Sequence, residues 1–376
     1  LSRHLHIVCL DTPWPADYGG AIDMMNRITM LHKMGISIHL HYFSYNERGT
    51  PNELNQFCES ITVYERKEGH KGFSAKLPYI VASRINEQLE ANLQKDKHPV
   101  LLEGLHCTGI LPKLNLQQRK VVVRMHNEES TYYKELARST SSLFKKLYFL
   151  HESRLIKKYN QQLPKECIYA CISAEDIQVL QHDYKLPHIN LLPAFPSWQQ
   201  VNGEEGMGNL CLFHGNLSVP ENEEAAIWLL RHVFTNVRKP FVIAGKKPSK
   251  RLEKLAHIFQ HTCLVADPSE SELNDLIRKA HINVLPCFNK NSTGIRLKLL
   301  HALFEGRHCI VNEPMVEGTG LEGACHIGKT ANAFASIIEQ LYHQPFTREE
   351  ITLRERLLGD QYDNEKNTRQ LIQYLY

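Results

Sequence analysis

Apolar residues open the chain as a short run, His6-Ile7-Val8-Cys9-Leu10, with the length of a buried strand. The stretch 11–18 carries Pro13 and Pro15, which argues against helix, and Gly19-Gly20 follows it. From Ala21 the apolar positions Ile22, Met25, Ile28, Leu31 and Met34 recur at helical spacing. Gly35 stands where a helix C-cap glycine belongs, and residues 36–43 read as strand again. Strand, glycine loop, helix and strand in so short a span predict a βαβ crossover, hence a parallel sheet.

The alternation continues with strands at 99–102 and 121–123, a long charged helix over 130–159, and a strand at 167–173. Between Leu191 and Asn209 the pattern breaks. Pro193, Pro196, Gly203, Gly206 and Gly208 crowd together with Glu204 and Glu205, the composition of an exposed linker. Strands are then expected at 210–215, 241–244, 263–265, 282–286 and 309–312. Helices are expected from Ser218, over 271–280 and over 294–305, with Ser218 as a capping hydroxyl and Pro220 just inside the first of them. Residues 350–376 read as a polar, amphipathic helical stretch.

The predicted architecture is α/β: two doubly wound Rossmann-like domains facing a cleft. The first spans 1–195 and the second 196–355, with 356–376 a C-terminal helix packing back on the first. Ligands of open parallel sheets bind outside the carboxyl ends of the strands, so two such domains can bring two substrates together.

Composition narrows the function. The 376 residues, 42% hydrophobic and 23% charged, suit two ordered domains rather than disorder. Lys plus Arg number 44 against 41 acids, a formal charge of +3, so no nucleic-acid partner is called for. The ten cysteines are scattered, several in apolar runs, which reads as reduced thiols in a cytoplasmic protein. Cys167 and Cys171 have no matching cluster for a metal. No apolar run reaches the length of a membrane span, and no signal peptide opens the chain.

Asn291-Ser292-Thr293-Gly294-Ile295-Arg296-Leu297-Lys298 is the segment richest in chemistry. A glycine at a helix start lets an anion approach free backbone N–H groups at the positive end of the dipole. Arg296 and Lys298 near that first turn oppose the dipole, so helix stability does not explain them. A bound diphosphate explains all three features; a solvated basic turn is the plainer alternative.

Residues 286–311 resemble the donor-binding segment of family 4 retaining glycosyltransferases of the GT-B fold, in the branch with a Gly-Thr-Arg-Leu-Lys-type loop. Three further segments resemble that family in order. They are the glycine loop ending at Gly19-Gly20, the Arg124-Met125-His126-Asn127 stretch, and Phe213-His214-Gly215-Asn216 leading to Pro220-Glu221-Asn222.

The resemblance implies a nucleotide-diphosphate sugar, UDP- or GDP-linked, as donor and a glycan or lipid-linked acceptor, in polysaccharide biosynthesis. Thr293, Gly294, Arg296 and Lys298 would hold the diphosphate, with backbone at Gly215 and Asn216 contributing and Gly19 and Gly20 facing the leaving phosphate. Gly245, Lys246, Val265 and Asp267 would surround the base. His126 would lie under the donor sugar, with His126, Arg296 and Lys298 closest to the chemistry; Asn127 and Glu129 would bind sugar hydroxyls of the acceptor or cap the following helix. No cofactor or metal is expected, since protein cations stabilise the leaving phosphate and none of the ten aspartates is spaced Asp-x-Asp.

One position departs from the pattern. His301 stands where the family has a Glu that accepts both ribose hydroxyl protons, and an imidazole accepts one at most. Ribose is then held with help from Glu305 or Glu317, donor affinity is reduced, or the chain is a degenerate relative with a binding or scaffold role. A nonhydrolysing sugar-nucleotide epimerase is the other alternative, though carboxylates for elimination do not stand at matching positions.

Two weaker features complete the reading. His39 and His41 share one face of a strand, but the sequence supplies no third ligand. Residues 144–158 mix basic and apolar side chains on a helix, either an ordinary surface or a peripheral contact with an anionic membrane.

Overall fold

Short β-branched runs separated by helices build two parallel sheets. The computed structural model describes residues 2–44, 51–140, 142–288 and 296–376. Two units emerge: among the described residues one takes in the chain up to Ser197 together with Tyr362–Tyr376, the other residues 198–288 and 296–361.

The first unit holds strands β1 (Arg3–Cys9), β2 (Ile36–Ser44), β3 (Ser60–Glu65), β4 (Val100–Glu103), β5 (Val121–Met125), β6 (Ile168–Cys171) and β7 (Ile189–Leu191). They form one sheet in the order β3-β2-β1-β4-β5-β6-β7, every neighbouring pair parallel. Its helices are α1 (Gly19–Lys33), α2 (Tyr79–Ala82), α3 (Glu87–Leu93), α4 (Glu129–Ser139), α5 (Leu143–Asn160) and α6 (Ala174–Tyr184). Gly35 follows α1 at φ 78°, the left-handed turn that ends a helix where only glycine is free of strain.

The second unit has β8 (Leu210–His214), β9 (Phe241–Gly245), β10 (Thr262–Ala266), β11 (Ala280–Leu285), β12 (His308–Val311) and β13 (His326–Ile327). Their order is β10-β9-β8-β11-β12-β13, again parallel throughout. Helices α7 (Pro220–Trp228), α8 (Lys250–Ala256), α9 (Glu270–Lys279), α10 (Leu297–Glu305), α11 (Glu313–Val316), α12 (Ala331–Leu341) and α13 (Arg348–Gln361) accompany it. In each sheet the winding reverses beside the first strand, between β1 and β4 and between β8 and β11, which is where doubly wound folds bind ligands. The last helix, α14 (Asn364–Leu375), sends Leu371 and Leu375 into the first unit's core beside Leu5, Ile7, Met24 and Ile28.

Several local expectations are corrected. The helix expected over 130–159 is two, α4 and α5, because Ser142 ends the break as an N-cap that accepts from the Lys145 N–H. The 350–376 stretch is likewise two helices, with Asp363 capping the second. Ser218 is not the cap of α7: Val219 holds that place, and the Ser218 hydroxyl donates instead to Asn216 Oδ1 at 2.7 Å. The supposed exposed linker is buried over its first part, Leu192 and Phe195 fully, where Arg124 of β5 and Asp23 of α1 bind its backbone. Gly19 and Gly20 are the first turn of α1 rather than a loop before it.

All ten cysteines are free thiols. Among the described residues no helix is long and apolar enough to cross a membrane.

Candidate functional site

At the carboxyl end of the first sheet, charge has been taken out of water and neutralised in place. Asp23 and Arg27 lie one turn apart on α1, Glu103 ends β4 and Arg124 sits in β5, all four essentially inaccessible. Arg27 reaches Glu103 through two bonds of 2.9 and 2.7 Å and Asp23 at 2.9 Å. Arg124 approaches Asp23 at 3.3 Å and donates to the carbonyls of Leu192 and Pro193. The second oxygen of Asp23 also accepts the Phe195 N–H at 2.8 Å. Burial alone would raise Asp23, but Arg124 and Arg27 outweigh it and hold the carboxyl well below the usual range. Burial also opposes ionisation of Glu103, and Arg27 and His126 reverse the sign there too.

His126 follows β5 and rests on this framework. Its Nε2 lies 3.0 Å from Glu103 and its Nδ1 3.7 Å from Asp23. Two carboxylates and an imidazole within reach of one another resemble a metal-ligand set. Here Arg27 and Arg124 already supply the positive charge, so the donor set is a poor fit for a cation. The arrangement fixes one imidazole face and its hydrogen-bond direction at the strand end.

Asn127 is half-buried and bonds to the Glu129 side chain. Burial pushes the Glu129 carboxyl up to about 7, with Asn127 opposing the rise and the nearby acids Glu128 and Asp176 adding to it. The helix is capped not by Asn127 or Glu129 but by Glu128, which accepts from the Ser130 and Thr131 N–H groups and from the Tyr184 hydroxyl. Gly19 and Gly20 open α1 with no side-chain cap and no acid in the first turn.

In the second unit Gly245 ends β9 against the loop after β8. A Cβ there would lie 1.9 Å from the Gly215 carbonyl oxygen, so only glycine lets the two strand ends come together. The Gly215 N–H is spent on the Ala244 carbonyl at 3.1 Å. Asn216 Oδ1 accepts from the Ser218 N–H and hydroxyl, and its carbonyl accepts from Asn222 Nδ2. Lys246 is exposed and Val265 half-buried. Asp267 Oδ1 accepts the Lys247 N–H at 2.8 Å, which ties the two loops together.

Thr293 and Gly294 lie outside the described residues. Arg296 is the N-cap residue of α10 and donates to the Pro314 carbonyl at 3.0 Å. Lys298, in the first turn, donates to Asn222 Oδ1 at 2.8 Å and lies 5.5 Å from the Phe213 ring centroid. Among the described residues no carboxylate comes within ion-pair distance of it. Burial lowers its ammonium to about 8, with Arg296 lowering it further. A desolvated cation whose polar neighbour is an amide, not an acid, is poised for an anion.

His301 lies one turn further along α10, its ring stacked on Trp198 at 4.2 Å and edge-on to His214 at 5.7 Å. Its Nε2 bonds to Asn274 Oδ1, and burial lowers it to about 4, so the ring is neutral near pH 7. Glu305, expected to help hold a ribose, is already bound by Arg278 and by Asn202 at 2.8 Å. Glu317 is exposed.

Sequence reasoning did not find Asp23, Arg27 and Glu103, nor Asn222 as the partner of Lys298. The one local signal was an Asp and an Arg four residues apart inside the apolar stripe of α1.

No family model matches the chain. A protein described as "Uncharacterized 44.6 kDa protein in cps region" from Klebsiella pneumoniae is 28% identical over 333 residues, 84% of each chain. Among solved structures, sucrose-phosphate synthase from Thermosynechococcus elongatus superposes with a TM-score of 0.69 at 14% identity, covering 99% of this chain and 98% of that one. TarM reaches 0.68 at 10%, covering 100% and 99%. The fold is GT-B. The UDP-forming trehalose-phosphate synthase from Burkholderia xenovorans shares it with a TM-score of 0.60 at 12% identity and full coverage of both chains. In this GT-B chain Arg296 and Lys298 open the helix that follows β11, one of the two strands between which the winding of the second sheet reverses.

Proposed function

We propose that the protein is a retaining glycosyltransferase that moves a sugar from a UDP- or GDP-linked donor to a glycan or lipid-linked acceptor in polysaccharide synthesis. The observation that carries the reading is Lys298: a half-buried ammonium on the first turn of a helix, bonded to an amide, in a GT-B second unit. The relative from a cps, or capsule, region supports the polysaccharide setting.

The second unit binds the donor. Lys298 and Arg296 take the diphosphate, Thr293 and Gly294 complete its cradle, and the loops at Gly215-Asn216, Gly245-Lys246 and Val265–Asp267 surround the nucleoside. The bond from the sugar's anomeric carbon to the β-phosphate oxygen breaks as the acceptor oxygen bonds to the same face. The acceptor's proton passes to the departing phosphate oxygen, so both charge and proton are balanced. Charge accumulates on that phosphate, and fixed cations in a desolvated setting stabilise it without reorganising. No step needs a metal. In the first unit, Asn127, Glu129 and the imidazole of His126 bind sugar hydroxyls, with Glu103 and Asp23 holding that ring in place.

The reading extends to the membrane. Leu143, Phe144, Leu147 and Tyr148 are exposed on α5, Phe144 at 88%, and Lys145 and Lys146 lie among them. This face suits a cytoplasmic bilayer surface carrying a lipid-linked acceptor. Phe144→Ser with Leu147→Ser should abolish co-sedimentation with anionic vesicles.

The decisive test is calorimetric titration with UDP, GDP and their sugars. One nucleotide should bind, Lys298→Met should weaken it at least about 100-fold while leaving the melting temperature in place, and product NMR should show the donor's anomeric configuration retained. A folded protein that binds none of them refutes the proposal. His301, neutral and held by Asn274, favours one second reading, a GT-B protein that binds nucleotide sugar without turning it over. Binding without transfer to any acceptor fraction would select it.

A further inference from the structure

The amino end of the first sheet, opposite the strand ends just described, carries a cluster of imidazoles that the proposed transfer does not use. His4 and His6 lie on one face of β1, His39 and His41 on one face of β2, and His98 precedes β4. Because β1 runs between β2 and β4, three remote segments meet there.

The cluster has two layers. In the inner one every ring nitrogen is spent: His6 Nδ1 on His41 at 2.9 Å, His6 Nε2 on Asp96 at 3.0 Å, and His41 Nδ1 on the Tyr64 hydroxyl at 2.8 Å. In the outer one His4 Nδ1 lies 3.1 Å from His39 Nε2, and one ligand nitrogen from each of His4, His39 and His98 falls within 4.8 Å of the others. Nitrogens around a tetrahedral zinc, each about 2.0–2.1 Å from the metal, stand roughly 3.3 Å apart. His4 and His39 are already near that spacing, and bringing in His98 turns rings that now lie nearly parallel, 13° between His4 and His39 and 18° between His4 and His98.

The surroundings are those of a metal site. His39 Nδ1 lies 2.8 Å from the Ser60 hydroxyl, an outer partner that, by accepting its N–H, would hold Nε2 with its lone pair toward His4. Asp96 Oδ1 accepts the His98 backbone N–H at 2.9 Å, and the Tyr376 hydroxyl donates to the His4 carbonyl at 2.7 Å, so both backbones are anchored. The three rings are half-buried, open enough for an ion to enter.

We propose that His4, His39 and His98 bind one zinc ion, which cross-links the amino ends of β1, β2 and the segment before β4, with water in the fourth position. Three neutral imidazoles with neither thiolate nor carboxylate suit zinc and its borderline neighbours, not calcium or magnesium, which want oxygen. On binding, the proton shared by His4 Nδ1 and His39 Nε2 moves to the other nitrogen of His4, so both lone pairs face the metal. The role is a structural staple, separate from sugar transfer and independent of it.

The test uses tag-free full-length protein stripped with a chelator and titrated with ZnCl2 by calorimetry. One ion per chain should bind, and at a hundredfold excess over Kd the melting temperature should rise by about 5–10 °C. His39→Ala and His98→Ala should each lose that binding and that shift while melting like the metal-free wild type. Ser60→Ala should weaken zinc by about tenfold, and His182→Ala, far exposed, should change nothing. Substitution with Co2+ in the wild type should give the intense visible bands of a four-coordinate ion. Absence of zinc binding, binding that survives His39→Ala and His98→Ala, or a weak six-coordinate cobalt spectrum would overturn the proposal.

Discussion

Replacing Asp23 by Asn removes one negative charge from a group of four that balances to zero: Asp23 and Glu103 against Arg27 and Arg124. The variant keeps the size of the side chain but leaves Arg124 beside an amide, with backbone carbonyls and the Glu103 charge already bound by Arg27 to answer its own. Breaking a buried pair from one side costs about 3–5 kcal/mol, because the remaining ion is stranded in a low-dielectric setting. With a urea m-value of about 1–3 kcal/mol per molar, the unfolding midpoint should fall by at least about 1 M. Circular dichroism in urea at pH 7 measures it. The loss should persist at 1 M NaCl, since salt does not screen buried charge.

The pH dependence sharpens the test. The Asp23 carboxyl is depressed in the folded state, so the stability it contributes is present above its unfolded value near 3.9 and is lost as pH falls toward the folded one. Wild type and Asp23→Asn should therefore converge below about pH 4. Adding Arg124→Met to Asp23→Asn restores neutrality and should recover about 2 kcal/mol of the loss. A single variant within about 1 kcal/mol of wild type at pH 7, or curves that stay parallel in acid, would refute the account of a neutralised buried network.

Lys298 titrates from about 8 in the free protein, so nucleotide affinity should fall as pH rises from 7 to 9.5, whereas Lys298→Arg should stay flat; fluorescence titration across that range checks both. The same ammonium is held below its unfolded value, so the unfolded chain binds the extra proton and stability should rise slightly with pH between about 8 and 10.5. His301→Glu should tighten UDP or GDP by about tenfold if the carboxylate regains a ribose contact, a gain of the size of one charge-assisted bond; unchanged affinity removes the significance attached to that position. Gly245→Ala should destabilise the second unit by about 3 kcal/mol or more, read from its thermal transition, since the new methyl meets backbone that cannot yield.

The order of elements was legible because it rests on local periodicity. The α1 stripe and its Gly35 terminator, the strands at 36–43 and 241–244, and the α10 helix with Arg296 and Lys298 at its start can all be read within a window of a dozen residues. Where a capping side chain interrupts an amphipathic pattern, as at Ser142 and Asp363, the same periodicity ran through the cap and overestimated helix length.

The partners of charge were not legible. Asp23 and Arg124 are 101 positions apart, Lys298 and Asn222 are 76 apart, and His4, His39 and His98 come from three segments that only the order β2-β1-β4 makes neighbours. Local spacing set the crossover units and the residue types at each strand end. Whether Lys298 met an acid or an amide, whether His301 was charged or neutral, and whether an aspartate in a helix stripe was an exposed cap or a buried counter-ion depended on which strand lay beside which. That is a matter of chain folding over long separations, and short-range pattern carries no information about it.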